Sequence, residues 1–319
     1  MAYTAGDSIL DDEYNDFVGK ATSPFGYNHF AGAGASEYGL NQSSIATVSA
    51  GGTITASSWN SLFTGLDNIA NHTNVSITSS SVSAGDAIAV RSALISDLAS
   101  LAAAVAAGST NATAIATPAA AGSSTNSATW NASSTIERSI TFANSATMRA
   151  FFNAGGYIRI DPSCTTGIDG SKDDVFNDLT TTAIGNLDLK AHISTRSGSG
   201  ETLTTNGLAN GFHELSTGYT VLLKLTSDNS GYTSNTVEIS AKLNAAPATA
   251  TVLTIKMVST DPADDTLYTA GNLDSVPANP NEAPRMVLAL LEAYPTNAQG
   301  LAADIRAASN AEVSNAVTN

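Results

Sequence analysis

Apolar residues follow two different rhythms along this chain. Up to about residue 107 they recur every three or four positions, and from about 134 to 260 they alternate with polar ones. Ile9, Leu10, Tyr14, Phe17 and Val18 form a helical stripe over 7–18, with acids near its start that suit the helix dipole. A loop rich in glycine and aromatics follows. Ile45 and Val48 then lead into a turn at Gly51-Gly52 and on to Ile54. Ser57 or Ser58 is placed to cap a helix whose Trp59, Leu62, Phe63, Leu66, Ile69 and Ala70 share one face. A second helix is predicted over 86–107, where Ile88, Leu94, Ile95, Leu98, Leu101, Ala102 and Val105 make a narrow ridge flanked by alanine. So smooth a ridge suits close packing on another helix, in the same chain or in a neighbouring subunit. Residues 108–131 turn to Ala, Ser, Thr and Asn, which reads as a linker or as an extended arm lying on a partner.

The strand rhythm opens with "STIERSITF", in which Ile136, Arg138, Ile140 and Phe142 fall on one face. "YTVLLKLTS", "NTVEISAKLN" and "TVLTIKMVST" continue it, separated by polar turns. Strands joined by short turns without helical segments between them predict an antiparallel sandwich. A short helical segment, Ser145 to Phe152, interrupts them with Met148 and Phe152 four apart. The tail from Asn281 reads as helix again, with Pro284 near its start. The expected fold is therefore α+β, an antiparallel β-sandwich (jelly-roll or Ig-like) with N-terminal helices and a helical C-terminal tail. The expected division is a helix-rich docking domain at 1–107, a linker or arm at 108–133, the sandwich at 134–275 and the tail at 276–319.

Charge narrows the partners. Thirteen Lys and Arg stand against 28 Asp and Glu, a net charge of −15, which disfavours direct binding to nucleic acid or anionic lipid. Only 13% of residues are charged, so Ser, Thr and Asn must supply most of the polar surface. Such hydroxyl-rich surfaces suit β-rich extracellular and virion proteins better than cytosolic metabolic enzymes. The single cysteine, Cys164, excludes an intrachain disulfide and reads as a small half-buried residue. The first residues lack the basic and apolar regions of a signal peptide, and no run of ~18 apolar residues occurs. The chain is expected to be made soluble in a cytoplasm, with no membrane partner.

Candidate chemistry is sparse. Asp169, Ser171, Asp173 and Asp174 sketch a calcium loop but lack its later glutamate and its ligand spacing, so they read as a solvated turn, as does "DPADD" at 261–265. His29, His72, His192 and His213 stand at no zinc spacing. A Ser-His-Asp triad stays open in a chain this rich in serine, but no G-x-S-x-G elbow singles out a nucleophile. Asn-x-Ser/Thr triplets such as Asn71-His72-Thr73 carry no weight without a signal peptide. Trp59 could stack on a sugar, but its place on an apolar stripe favours the core. No catalytic, cofactor-binding or metal site is predicted.

The most distinctive stretch is Phe151 to Ile160, "FFNAGGYIRI". Its order is helix, glycines, strand, whereas a phosphate-cradling loop needs glycines before a helix N-terminus. Phe151, Phe152, Gly155 and Gly156 therefore predict a structural corner, with Gly155 or Gly156 at positive φ and the aromatics closing the short helix on the sandwich core. Trp59, Leu62, Phe63, Leu66 and Ile69 are the predicted docking helix.

"MRAFFNAGGYIRI" at 148–160 resembles a phrase in virion structural proteins of tailed phages, marine cyanophages among them. "DDEYNDF" at 11–17, "YGLNQSSIATVSAGGTITASSWNSLF" at 38–63 and "YTSNTVEISAKLNAAPATATVLTIKMVSTD" at 232–261 resemble further segments of those proteins, in the same order. The resemblance does not extend to 86–125 or beyond Asn281. It implies a non-catalytic virion component of tail, neck, fibre or baseplate, with copies of itself and other virion proteins as partners. A head decoration or cement protein is the positional rival. The contrasting expectation is a carbohydrate-binding module with a host-surface glycan as partner.

Overall fold

The computed structural model describes residues 11–23, 25–32, 38–83, 91–126, 128, 130, 132–165, 172–229, 232–262, 284–297, 301 and 303–318. The chain divides into two units. One comprises Met1–Ala116, Arg149–Gly156 and Tyr294–Arg306, and the other Thr117–Met148, Tyr157–Ala293 and Ala307–Asn319. The four consecutive domains expected above are thus replaced by two interleaved ones.

The first unit is built on helices α1 (Asp11–Gly19), α2 (Ala56–Thr73) and α3 (Arg91–Ala106). The cap of α2 is Thr55, not Ser57 or Ser58. Its hydroxyl accepts from the Ser58 amide at 3.1 Å, and the Ser58 hydroxyl closes the box. Trp59, Leu62, Phe63, Leu66 and Ile69 are all buried, and Trp59 packs edge-on against Tyr14 with ring centroids 5.2 Å apart. The predicted docking face is therefore used up inside its own unit, where Tyr14 and Phe17 of α1 meet it. Leu94, Leu98, Leu101 and Val105 of α3 are buried as the ridge predicted, while Ile95 is exposed. Asp97 fastens this helix. It accepts hydrogen bonds from the amides and hydroxyls of Thr78 and Ser79. Burial opposes its charge, but those four donors outweigh burial and hold its carboxyl below the usual range.

The second unit holds two antiparallel sheets among the described residues. A five-stranded sheet runs β1 (Ala119–Thr125), β10 (Arg285–Ala293), β3 (Tyr157–Thr165), β4 (Leu187–Leu189), β5 (Ser194–Arg196). A six-stranded sheet runs β11 (Ser309–Thr318), β2 (Ser133–Thr141), β9 (Val252–Thr260), β8 (Thr236–Leu243), β7 (Thr220–Thr226), β6 (Thr202–Asn206). β2 alternates along its whole length, with Ile136, Arg138 and Ile140 inward. β3 and β10 alternate likewise, and their inward residues Ile158, Ile160, Met286, Leu288 and Leu290 join those of β7, β8 and β9 in the core. The fold is an α+β, sandwich-like arrangement, as the strand rhythm predicts.

Two expectations are corrected here. Where helix was expected in the C-terminal tail, its described segments form β10 and β11. "RMVLALLEA" fits either period over so short a run, and pairing with β1 on one side and β3 on the other decides for strand. The stretch 108–133 is not simply a linker, since it contains β1, whose partner lies far along the chain.

Candidate functional site

α2 is two-faced. Opposite its apolar stripe, Ser57, Asn60, Ser61, Thr64 and Asn68 recur at helical spacing and present hydroxyls and amides. With Gln42, Ser43, Ser44 and Ile45 they line a cleft of about 620 Å³, closed by Tyr27, Gly65 and Leu301. Gly65 is required there, because a Cβ would lie 2.5 Å from Cε2 of the Tyr27 ring. The Tyr27 hydroxyl donates to the Ser43 carbonyl at 2.8 Å, and burial pushes its pKa up to about 12. Asn60 is also engaged, since its amide exchanges two hydrogen bonds with the backbone of Val82. The hydroxyls of Ser43, Ser44, Ser57 and Thr64 and the Asn68 amide have no hydrogen-bond partner among the described residues. The cleft thus offers neutral donors and acceptors, and its lining carries no ionised side chain. Sequence reasoning missed it, although the complement of the apolar stripe was there to be read.

The predicted corner is found, with its geometry resolved. α4 (Ser145–Asn153) ends where the Gly155 amide donates to Phe152 O at 3.0 Å and the Gly156 amide to Phe151 O at 2.9 Å. This paired ending is a Schellman motif, and Gly155 holds its left-handed position with φ +87°. A Cβ on Gly155 would strike Thr110, and one on Gly156 would lie 2.6 Å from Phe151 O. Phe151 and Phe152 are fully buried and stack edge-on at 5.0 Å. They belong to the helical unit. The corner is tied down by His72, whose Nε2 donates to Ala154 O at 2.8 Å. That bond defines the tautomer and leaves Nδ1 buried without a partner. Burial lowers the His72 pKa, against the Ala154 bond that raises it.

Of the remaining sequence candidates, the structure brings His192 and His213 together. The His29 ring stacks on Phe25 at 3.8 Å. His192 meets Glu214 at 3.2 Å and stacks on His213 at 4.8 Å. Cys164 is buried, which pushes its thiol up to about 12. Trp59 is 2% exposed and Trp130 0%, the latter donating to Pro284 O at 2.9 Å. Asp169 and Ser171 lie outside the described residues, as do 263–265, while Asp173 and Asp174 open a short helix, α5 (Lys172–Asn177). Among the described residues no group of three or more His, Cys, Asp or Glu is arranged to hold a metal ion, and no helix is long and apolar enough to cross a membrane.

Two polar groupings in the sandwich unit went unread. Arg138, on the inward face of β2, is buried and donates through Nε to Asn310 Oδ1 at 3.0 Å, through Nη2 to the same oxygen and through Nη1 to Ser124 Oγ. Burial disfavours its charge and Glu312 supports it. Gly122 of β1 leaves the guanidinium its space. At the far edge of the same sheet, Glu201 sits beside Asp178 and Asp228, at φ +55°. Burial, the Asp178 hydrogen bond and two negative neighbours push its pKa up to about 7, against the Asp228 amide that lowers it.

Comparison of this chain with protein-family models, with curated proteins and with solved structures gives no match.

Proposed function

We propose that this chain is a structural component of a tailed-phage virion, acting through protein–protein contacts without catalysis, in the tail, neck, fibre or baseplate. The observation that carries this reading is the complete burial of both tryptophans, Trp59 in the helical unit and Trp130 in the sandwich. It counts against an aromatic shelf of the kind a sugar-binding tip uses, and the sparsely charged, hydroxyl-rich composition suits broad contacts with low desolvation cost. The resemblance at 148–160 and 232–261 supports the same reading. We further propose a jelly-roll type of sandwich. The chain alternates between sheets at β1, β2 and β3 and again at β9, β10 and β11, so that early strands pair with late ones. The test is mass spectrometry and cryo-EM of purified particles of the encoding phage. A fixed copy number on the tail or neck is expected. Absence from the particles overturns the reading, and confinement to tail-less heads replaces it with a decoration role.

One observation favours a second reading, a module that binds a neutral saccharide. The cleft on α2 is large enough for a small ligand and carries unengaged hydroxyls and an amide. Saturation-transfer NMR with neutral host-surface oligosaccharides tests it. Signals that vanish in Thr64→Val establish that reading, and their absence with the wild-type chain removes it.

A further inference from the structure

Three segments of the helical unit meet at the end of α2. The helix stops after Thr73, with Asn74 left-handed at φ 58°. The His72 carbonyl accepts from the Asn111 amide at 2.7 Å, and the Asn71 carbonyl accepts from the Asn111 side chain at 3.3 Å. The His72 ring donates to Ala154 O, and a Cβ on the next residue, Gly155, would strike the Thr110 methyl. One imidazole therefore pins the glycine corner to α2. That ring is badly placed to carry charge. His72 is 0% exposed, and a second proton would have to go on Nδ1, which is buried without an acceptor. Charges on the neighbouring elements do not relieve this. Asp67 on α2 accepts from Asn71, and Asp97 on α3 accepts from Thr78 and Ser79. Arg149 belongs to α4, Asp304 accepts from the Asn297 amide and Arg306 lies over the Tyr294 ring, while residues 107–118 carry no charge. The lowering of the His72 pKa comes from burial, against the Ala154 bond, with no contribution from any of them.

We propose that His72 is an acid-operated latch on the glycine corner. In its neutral form the ring holds Ala154, and the turn at Gly155 and Gly156 stays shut against α2. Imidazoles take up a second proton in the mildly acidic range, and here the charged ring is accommodated only by leaving its pocket for water. Its departure breaks the Ala154 bond and releases the end of α4 from α2. Because folding favours the neutral ring, the contribution of His72 to stability is complete above the ordinary 6.5 and is lost as pH falls below it. Two groups thus divide the pH response between the units, since Glu201 in the sandwich is favourable at low pH and His72 at high pH. The latch is independent of the virion reading.

Hydrogen-exchange mass spectrometry of the full chain at about pH 7.5 and about pH 5.5 tests the latch, read as protection factors over 151–156 so that intrinsic exchange cancels. Protection there should fall at the lower pH by several-fold, up to about tenfold, in the wild-type chain. It should not fall in His72→Gln, whose side-chain amide donates to Ala154 O but does not titrate. Equal protection at the two pH values in the wild-type chain, or an equal fall in both chains, overturns the proposal. If the variant fails to fold, NMR of the wild-type His72 ring and the Gly155 amide decides. Protonation of Nδ1 that coincides with loss of protection at Gly155 supports the latch, and any other combination overturns it.

Discussion

β10 and β11 are neighbours in sequence and strands of one sandwich, yet they are built on opposite terms. β10 lies between β1 and β3, satisfies its backbone on both sides and buries Met286, Leu288, Leu290 and Ala293. Even its inward carboxylate is answered, for Glu292 accepts from the Ala307 amide at 2.7 Å. Among the described residues β11 has one strand neighbour, and none of its side chains is buried. The first is stabilised by burial, and the second by hydrogen bonds to β2 and by one buried guanidinium. A strand of the second kind is a surface feature, available for other uses because the core does not depend on it.

The contrast can be broken most sharply in β10. Leu288→Ala should lower unfolding free energy by about 2–5 kcal/mol in urea titration, through lost burial and a cavity. A cost below about 1 kcal/mol would mean that β10 is not a core strand. Asn310→Ala should cost roughly 1–3 kcal/mol, because it deprives buried Arg138 of the acceptor for two of its nitrogens. A neutral result there would show that the guanidinium does not hold β11. A smaller, pH-dependent effect is expected at the other edge of the sheet. Glu201 has a folded pKa raised to about 7 from the ordinary 4.5, so the folded state binds more protons between those values. Its contribution is favourable at low pH and is lost as pH rises towards 7. Glu201→Gln should therefore raise the melting temperature at pH 8 and leave it unimproved at pH 4, and the opposite order would contradict the shift. Smallest of all, Val317→Ala in β11 should change the stability of the dilute chain by no more than about 0.5 kcal/mol. A larger loss would erase the distinction between the two strands.

What could be read in the sequence follows from the same contrast. β2, β8 and β9 were legible because alternation is a local signal, and the partners of a strand need not be known to see it. The helix of Trp59 was legible for the same reason, and the corner because a double glycine after a short helix has few other uses. β10 was misread because a six-residue apolar run satisfies both periods and only its partners choose. β1 and β11 were missed because Ala, Ser and Asn are poor strand formers that pairing alone holds extended. The His72 bond to Ala154 and the contact of Gly155 with Thr110 join residues far apart in sequence, and no local pattern announces them. The α2 cleft was readable as the polar complement of an apolar stripe, but its other wall, Gln42 to Ile45, was not.

The interleaved strand order has a kinetic consequence. β1 is completed at Thr125, but its ladder with β10 cannot form until residues 285–293 have emerged from the ribosome. β2 can find β9 earlier but must wait until 318 to close its other side. Closing loops of this length makes sandwich folding slow compared with docking of α2 on α3, whose contacts are near in sequence. During synthesis the chain therefore carries unpaired strands beside a helical pair that can already be formed. Truncation before residue 285 should leave products that aggregate, detectable by pelleting of stalled nascent chains, where truncation after 293 should not.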